Sequence, residues 1–200
     1  IVDLVKRLQM FPAKGRLGVI QDVTRGVGGM ACNNAVNIKV LDPALDVAVM
    51  GRVGDDDLGR YILAEYARHK IDTSAVVVSR TAPTSFTDVM SDITDGSRTF
   101  FHSYGACAEW GPQDIPWKGL AERFSYVQIG YALLLKTMDA PDPEHGTVMA
   151  GVLKRLIDAG LRTAIDVVSE EGDRFRKVVA PSLPFVDDLI INEVEAGAIT

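Results

Sequence analysis

Val47-Ala48-Val49-Met50, running into Gly51-Arg52-Val53-Gly54-Asp55-Asp56-Asp57-Leu58-Gly59, is the stretch whose reading decides the fold. The first four residues form a short apolar run after the turn at Asp42-Pro43, and read as a buried strand. From Asp57 to Lys70 the apolar residues return at helical spacing, at Leu58, Tyr61, Ile62 and Tyr66. A buried strand, a glycine-rich loop and a helix in that order are one turn of an alternating α/β pattern. The alternation continues downstream. Tyr126–Ile129, Thr163–Val168 and Asp188–Ile191 read as further strands. Between them, His145 to Ala159 reads as a helix closed by Gly160, with Val148, Val152, Leu153, Leu156 and Ile157 on one stripe. Strands separated by helices of this length imply right-handed crossovers and a doubly wound, mostly parallel sheet flanked by helices.

Two regions break that rhythm. Val19–Val23 and Ser85–Tyr104 are rich in β-branched and aromatic residues with partial alternation, and the second contains the turn Thr94-Asp95-Gly96-Ser97. They are expected to form a small antiparallel β lid, with strands at about 13–25 and 84–105 inserted in a single α/β domain over 1–200.

Composition bounds the function. The chain has 200 residues, 47% hydrophobic and 24% charged, as a globular domain has. A formal net charge of −6 argues against a general nucleic-acid binder, which needs a basic face. A small anion is compatible with that charge, because backbone N–H groups can bind phosphate locally. Two cysteines, Cys32 and Cys107, fit a reducing cytoplasm better than a disulfide framework. No apolar run reaches the ~18 residues of a membrane span. Asp3, Lys6 and Arg7 interrupt the apolar positions of Ile1–Pro12, so that segment does not read as a secretion signal.

Three segments could carry chemistry. In Gly26-Val27-Gly28-Gly29-Met30-Ala31-Cys32-Asn33-Asn34-Ala35 the glycines precede a helical pattern at Ala35, Val36, Ile38, Val40 and Leu41. They therefore sit at a helix N-terminus, where free N–H groups favour polar or anionic ligands. Asn33 on the first turn can both donate and accept, which suits a polyhydroxyl compound. A tight turn with Asn as cap fits the same residues, and both readings stay open. The pattern Gly26-x-Gly28-x-x-Ala31 loosely matches a dinucleotide fingerprint. However, Gln21–Arg25 is too polar for the buried strand that should precede one, and Asp46 lies before the next strand instead of at its end. In the second segment, Asp55, Asp56 and Asp57 could suggest a metal; an N-cap with acidic residues on the helix dipole is the preferred reading. The third is Asn192-Glu193-Val194-Glu195 after an apolar strand. It reads as a capping box, while a carboxylate there could also hold a hydrated Mg²⁺.

Taken together, the segments resemble the PfkB, or ribokinase-like, carbohydrate kinases. The resemblance is carried by Gly28-Gly29-x-x-x-Asn33-x-Ala35, Gly51-x-Val53-Gly54-x-Asp56-x-x-Gly59, Lys70-Ile71-Asp72-Thr73, Arg98-Thr99-Phe100 through Gly105-Ala106, and Asn192-x-x-Glu195. It implies a ribokinase-like fold and an ATP- and Mg²⁺-dependent kinase acting on a hydroxyl of a sugar-like small molecule. It further implies that Asp3, Gly28, Gly29 and Asn33 contact the substrate. Asn192 would lie near the nucleotide phosphates, and Glu195 would organise Mg²⁺ through its waters. It implies a lid over the sugar, in some relatives a homodimer interface. Met30 stands where the ribokinase branch usually has Lys, Cys107 where Asn is common, and Gly130-Tyr131 where ribokinases carry an acidic substrate contact. The family's Gly-Ala-Gly-Asp signature, which supplies the catalytic base, does not occur, nor does the strand expected before Asp3. The chain is therefore expected to be part of a longer one, incomplete at both ends, inactive alone and with no catalytic residue of its own to name. The alternative is a non-catalytic sugar- or nucleoside-binding protein on a kinase-like scaffold.

Overall fold

The computed structural model describes residues 1–169 and 174–199. Its first strand, β1 (Val2–Leu8), is one the sequence pattern did not disclose. It is the second strand of a four-stranded sheet, flanked by β2 (Ile20–Val27) on one side and by β5 (Phe86–Asp92) and β6 (Arg98–Ser103) on the other. The two outer pairings, β1 with β2 and β5 with β6, are antiparallel, whereas the central pairing of β1 with β5 is parallel. Residues 13–19 form turn and irregular structure. β1 was hard to read because charged residues, Lys6 and Arg7, sit in the middle of it; Lys6 pairs with Asp88 on the neighbouring strand.

The parallel sheet comes in two pieces. In one, β3 (Ala48–Gly54) pairs with β4 (Asp72–Ser79). In the other, β10 (Arg162–Val167) lies between β7 (Tyr126–Ala132) and β11 (Asp188–Ile190). A two-residue hairpin, β8 (Pro141–Asp142) with β9 (Gly146–Thr147), precedes the long helix of that half. A cavity of about 400 Å³, mostly apolar in lining, separates β3 from β7. Side chains tie the two halves together. Arg52 of β3 bonds Asp114 through Nε at 2.9 Å and Nη2 at 2.8 Å, and Asn34 Nδ2 donates to Gln128 Oε1 at 2.8 Å. At the other end Arg123 pairs with Asp46 and Asp72; it holds the Asp46 carboxyl below the ordinary range, while the Ser74 N–H together with Arg123 holds Asp72 at about 2.

The helices cover these pieces. α1 (Met30–Leu41) and α2 (Asp57–Arg68) pack beside β3 and β1, burying Val2, Cys32, Ala35, Val49, Val53, Ile62 and Tyr66 together. Cys32 Sγ lies 3.0 Å from Tyr66 Oη in that core, and both cysteines are free thiols. α1 turns Met30, Cys32 and Ala35 inward and leaves Val40 and Leu41 exposed, so the apolar stripe expected at Ala35–Leu41 is only half buried. The short α3 (Leu120–Arg123) and the longer α4 (Val148–Asp158) bury Leu120, Met149, Val152, Leu153 and Leu156 against β7 and β10. α4 starts later than its sequence pattern: Thr147 caps it through Ala150 N at 3.2 Å, leaving His145 outside. α5 (Arg174–Val178) and α6 (Glu193–Ile199) complete the set. Among the described residues no helix is long and apolar enough to cross a membrane.

Candidate functional site

β1 carries Asp3 in a row that runs straight across the four-stranded sheet: Gly26, Asp3, Thr87, His102. Residues in register project from the same face, so Asp3 shares a surface with Thr87 and His102. The latter two are linked, Thr87 Oγ1 to His102 Nδ1 at 3.1 Å. Asp3 is half-buried, and among the described residues its carboxylate has no hydrogen-bond partner. Burial raises its pKa, opposed by Arg98. A half-buried carboxylate without a hydrogen-bond partner costs stability, which makes it a candidate ligand group.

The glycine loop meets that carboxylate. A β-carbon on Gly28 would lie 2.2 Å from Asp3 Oδ2, so only glycine lets the loop approach it. Gly29 has φ +77° and stands as N-cap of α1 with no side chain satisfying the first-turn N–H groups. Asn33, one turn in, is exposed and its amide is unpaired among the described residues. Asp3, Gly28, Gly29 and Asn33 thus come together around one helix mouth. The large cavity touches this mouth at Gly28, Gly29 and Met30 but is lined by neither Asp3 nor Asn33.

A second cluster forms at the carboxyl ends of β10 and β11, the end where open α/β sheets bind ligands. Asn192 Oδ1 accepts from Glu195 N at 2.9 Å, and Glu195 Oε2 accepts from Asn192 N at 3.0 Å. That is the reciprocal capping box. Ser169 donates to Glu195 Oε1 at 2.8 Å and accepts from Asn192 Nδ2 at 3.2 Å. Glu195 is buried and Asn192 exposed.

Sequence reasoning assigns no role to three further residues, Asp166, Gly130 and Tyr131. Asp166 is the last residue but one of β10; burial pushes its carboxyl up to about 7, its own backbone N–H opposing and Glu195 adding to the rise. Its Oδ1 is buried with no hydrogen-bond partner. Gly130 of β7 fits against it: a β-carbon there would lie 1.8 Å from Asp166 Oδ1 and 2.8 Å from Met30 Cε. Tyr131 follows, half-buried; burial takes its phenol to about 12, with Asp166, Asp3, Cys32 and Glu195 adding to the rise. The signal for Asp166 was present in the sequence, as an acid inside an otherwise apolar strand, Thr163–Val168. The acidic triplet after β3 is structural, as its capping reading has it: Asp56 accepts from Gly59 N at 2.8 Å, Thr84 N at 2.7 Å and Thr84 Oγ1 at 2.6 Å.

No group of three or more His, Cys, Asp or Glu suited to a metal occurs among the described residues. Asp166 offers a buried carboxylate oxygen without a hydrogen-bond partner, which fits a Mg²⁺ that takes few protein ligands and keeps most of its water.

The fold and the sequence have known counterparts. The profile described as pfkB family carbohydrate kinase matches residues 1–200. A ribokinase from Thermotoga maritima superposes with a TM-score of 0.78 at 19% identity, over 99% of this chain and 58% of that one. A ribokinase from Giardia lamblia gives 0.72 at 23%, over 98% and 55%. A Burkholderia thailandensis nucleoside kinase in complex with inosine gives 0.73 at 18%, over 99% and 59%. This chain therefore spans under three-fifths of the length of each. No curated protein sequence matches it. With a match along its whole length and the fold in common, the chain belongs to the pfkB family of carbohydrate kinases.

Proposed function

We propose that the protein containing this chain transfers the γ-phosphoryl group of ATP to a hydroxyl of a sugar or nucleoside. The observation that carries this is the line from Asp3 to Glu195: a partnerless carboxylate against an uncapped helix mouth, then Tyr131 and Asp166, then the Asn192–Glu195 box. Asp3 accepts protons of substrate hydroxyls, Gly28 and Gly29 let the loop approach, and Asn33 donates and accepts at the same mouth. Asn192 faces the nucleotide phosphates. Asp166 and Glu195 hold Mg²⁺ through its water, and the ion supplies charge neutralisation at the phosphates. Phosphoryl transfer asks mainly for positioning and electrostatics, which is what these residues offer. No residue of this chain is assigned as the base.

The four-stranded sheet acts as a lid whose Asp3 face covers the acceptor and excludes water. Val23 and Phe101, each more than half exposed on the opposite face of that sheet from Asp3, support a second copy of the chain packing there. The cavity between β3 and β7 supports a longer chain, since it lies between two pieces of parallel sheet. Free thiols at Cys32 and Cys107 support a cytoplasmic setting.

The test is ADP release by the full-length protein with Mg-ATP and a panel that includes D-ribose, D-fructose and inosine. Acceptor-dependent release is expected for at least one of them. Tight sugar or nucleoside binding with no release would favour the non-catalytic binding protein instead.

A further inference from the structure

The motif Gly54-x-Asp56-x-x-Gly59 takes no part in the two clusters described above, yet it closes around a residue from another part of the chain, Thr84. Thr84 and Ser85 are buried just ahead of β5. A β-carbon on Gly54 would lie 2.5 Å from Thr84 N, and one on Gly59 would lie 3.0 Å from Thr84 Oγ1, so both glycines leave room for it. Asp56 caps α2 through Gly59 N, and a cap needs no more than that. The same carboxylate also accepts from Thr84 N at 2.7 Å and from Thr84 Oγ1 at 2.6 Å, while Gly54 N donates to that hydroxyl at 2.8 Å. Two of the three bonds to Asp56 therefore hold Thr84 in place.

Thr84 stands at the root of the four-stranded sheet. β1 and β5 begin, and β2 and β6 end, on one row across it: Val27, Val2, Phe86 and Ser103. The connections within the sheet, 9–19 and 93–97, lie at the other end. Hydrogen bonds join the strand ends along the root: Gly28 N to Ile1 O at 3.0 Å, Val2 N to Ser85 O at 3.2 Å, Ser85 Oγ to Tyr104 O, and Ala106 N to Pro83 O at 2.7 Å. Asp3 and Thr87 face each other on the next row, one residue further along their strands. A shift of Thr84 is thus passed through Ser85 and Val2 to Asp3.

We propose that Asp56 is a positioning residue for the acceptor: by holding Thr84 it fixes where the sheet leaves the loop between β3 and α2, and with it the place of Asp3 beside Gly28. Asp56 acts through Thr84 and does not itself meet the substrate. This rests on the phosphotransfer reading above, in which Asp3 grips the acceptor.

The experiment compares the full-length wild type with D56N, T84V, T84S and T147A, using Mg-ATP and whichever of D-ribose, D-fructose or inosine the wild type turns over fastest. Asn caps a helix as well as Asp does, so D56N keeps the cap of α2 but sets an amide NH₂ against Thr84 N, donor to donor. T84V keeps the branched shape and loses the hydroxyl. In both, the acceptor KM should rise at least about fivefold, because small misplacements of a binding group are costly, while the KM for ATP stays within about twofold. T84S keeps the hydroxyl and should stay within about twofold of wild type. Hydrogen exchange should quicken at the amides of β1 and β5 in D56N and T84V, and not at those of β10. T147A removes the cap of α4, in the other half of the molecule, and should leave the acceptor KM unchanged. A rise there would show that KM follows stability in general and would overturn the assignment, as would equal exchange in β5 and β10. Thermal melting checks folding: whichever of D56N and T84V folds decides, and unfolding of both assigns the pair to the framework and rejects the role. Wild-type turnover with an unchanged acceptor KM in the folded variants, or an equal rise in the KM for ATP, overturns the role of Asp56 alone. Absence of turnover in the wild type overturns the phosphotransfer reading and this inference with it.

Discussion

The carboxylate of Asp3 fills the space that a side chain at Gly28 would need, the ideal β-carbon falling 2.2 Å from Asp3 Oδ2. One residue comes from a strand and the other from the loop entering a helix, so this contact joins two elements at the proposed substrate mouth. Gly28→Ala must push the carboxylate away or move the loop. In the full-length protein, acceptor affinity measured by calorimetry should drop at least about tenfold, because misplacing a positioning group by about 1 Å is that costly. Melting temperature should fall too, by the ~1–3 kcal/mol typical of overpacking. Unchanged acceptor affinity would separate Gly28 from the site.

Asp3 itself should show the opposite balance. Its burial without a partner raises the carboxyl pKa, so the group is a cost in the unliganded fold. Asp3→Asn should leave stability unchanged or slightly improved, within about 1 kcal/mol, while weakening acceptor binding by tenfold or more. A variant that loses stability and keeps binding would assign Asp3 to the framework.

Asp166 makes the pH prediction. Its folded pKa of about 7 lies above the 3.8 of an ordinary aspartate, so between those values the folded state holds the extra proton. Stability of the metal-free protein therefore declines as pH rises from 4 through 7 and levels off above that. The whole displacement would be worth about 4 kcal/mol at full burial, and solvent screening of a partly exposed side chain cuts it to about 1–2 kcal/mol. Urea unfolding of wild type and Asp166→Asn across this range should show the variant gaining on the wild type up to pH 7. Parallel curves would show that Asp166 stays ionised in the fold.

Glu195 separates a cap from a metal role. Its carboxylate accepts from Asn192 N and from Ser169 Oγ. Glu195→Ala removes both acceptors and should cost about 1–2 kcal/mol. Glu195→Gln can still complete a capping box, so it should keep most of that stability while raising the Mg²⁺ concentration needed for turnover. A Gln variant with wild-type Mg²⁺ dependence would confine Glu195 to capping.

Much of the scaffold was legible because apolar periodicity follows burial. Val47–Met50, Tyr126–Ile129 and Thr163–Val168 are buried enough to read as strands from composition alone, and α2 and α4 present clear stripes. β1 was not legible, since a strand in the exposed four-stranded sheet carries Lys6 and Arg7 among its apolar residues. α1 misled, because its outer apolar residues, Val40 and Leu41, stay exposed. The helix mouth at Gly28–Asn33 was visible as a pattern but not as a site, for glycines before a helix serve a cap and a ligand equally.

By itself the sequence determined the alternation of strands and helices, the glycine loop at a helix start and the Asn192–Glu195 box, because each depends on residues close in the chain. Only the tertiary structure decided that Asp3 lies against Gly28 and that Gly130 admits Asp166. Those relations depend on strand pairing and register, where a shift of one residue would turn Asp3 to the opposite face of its sheet.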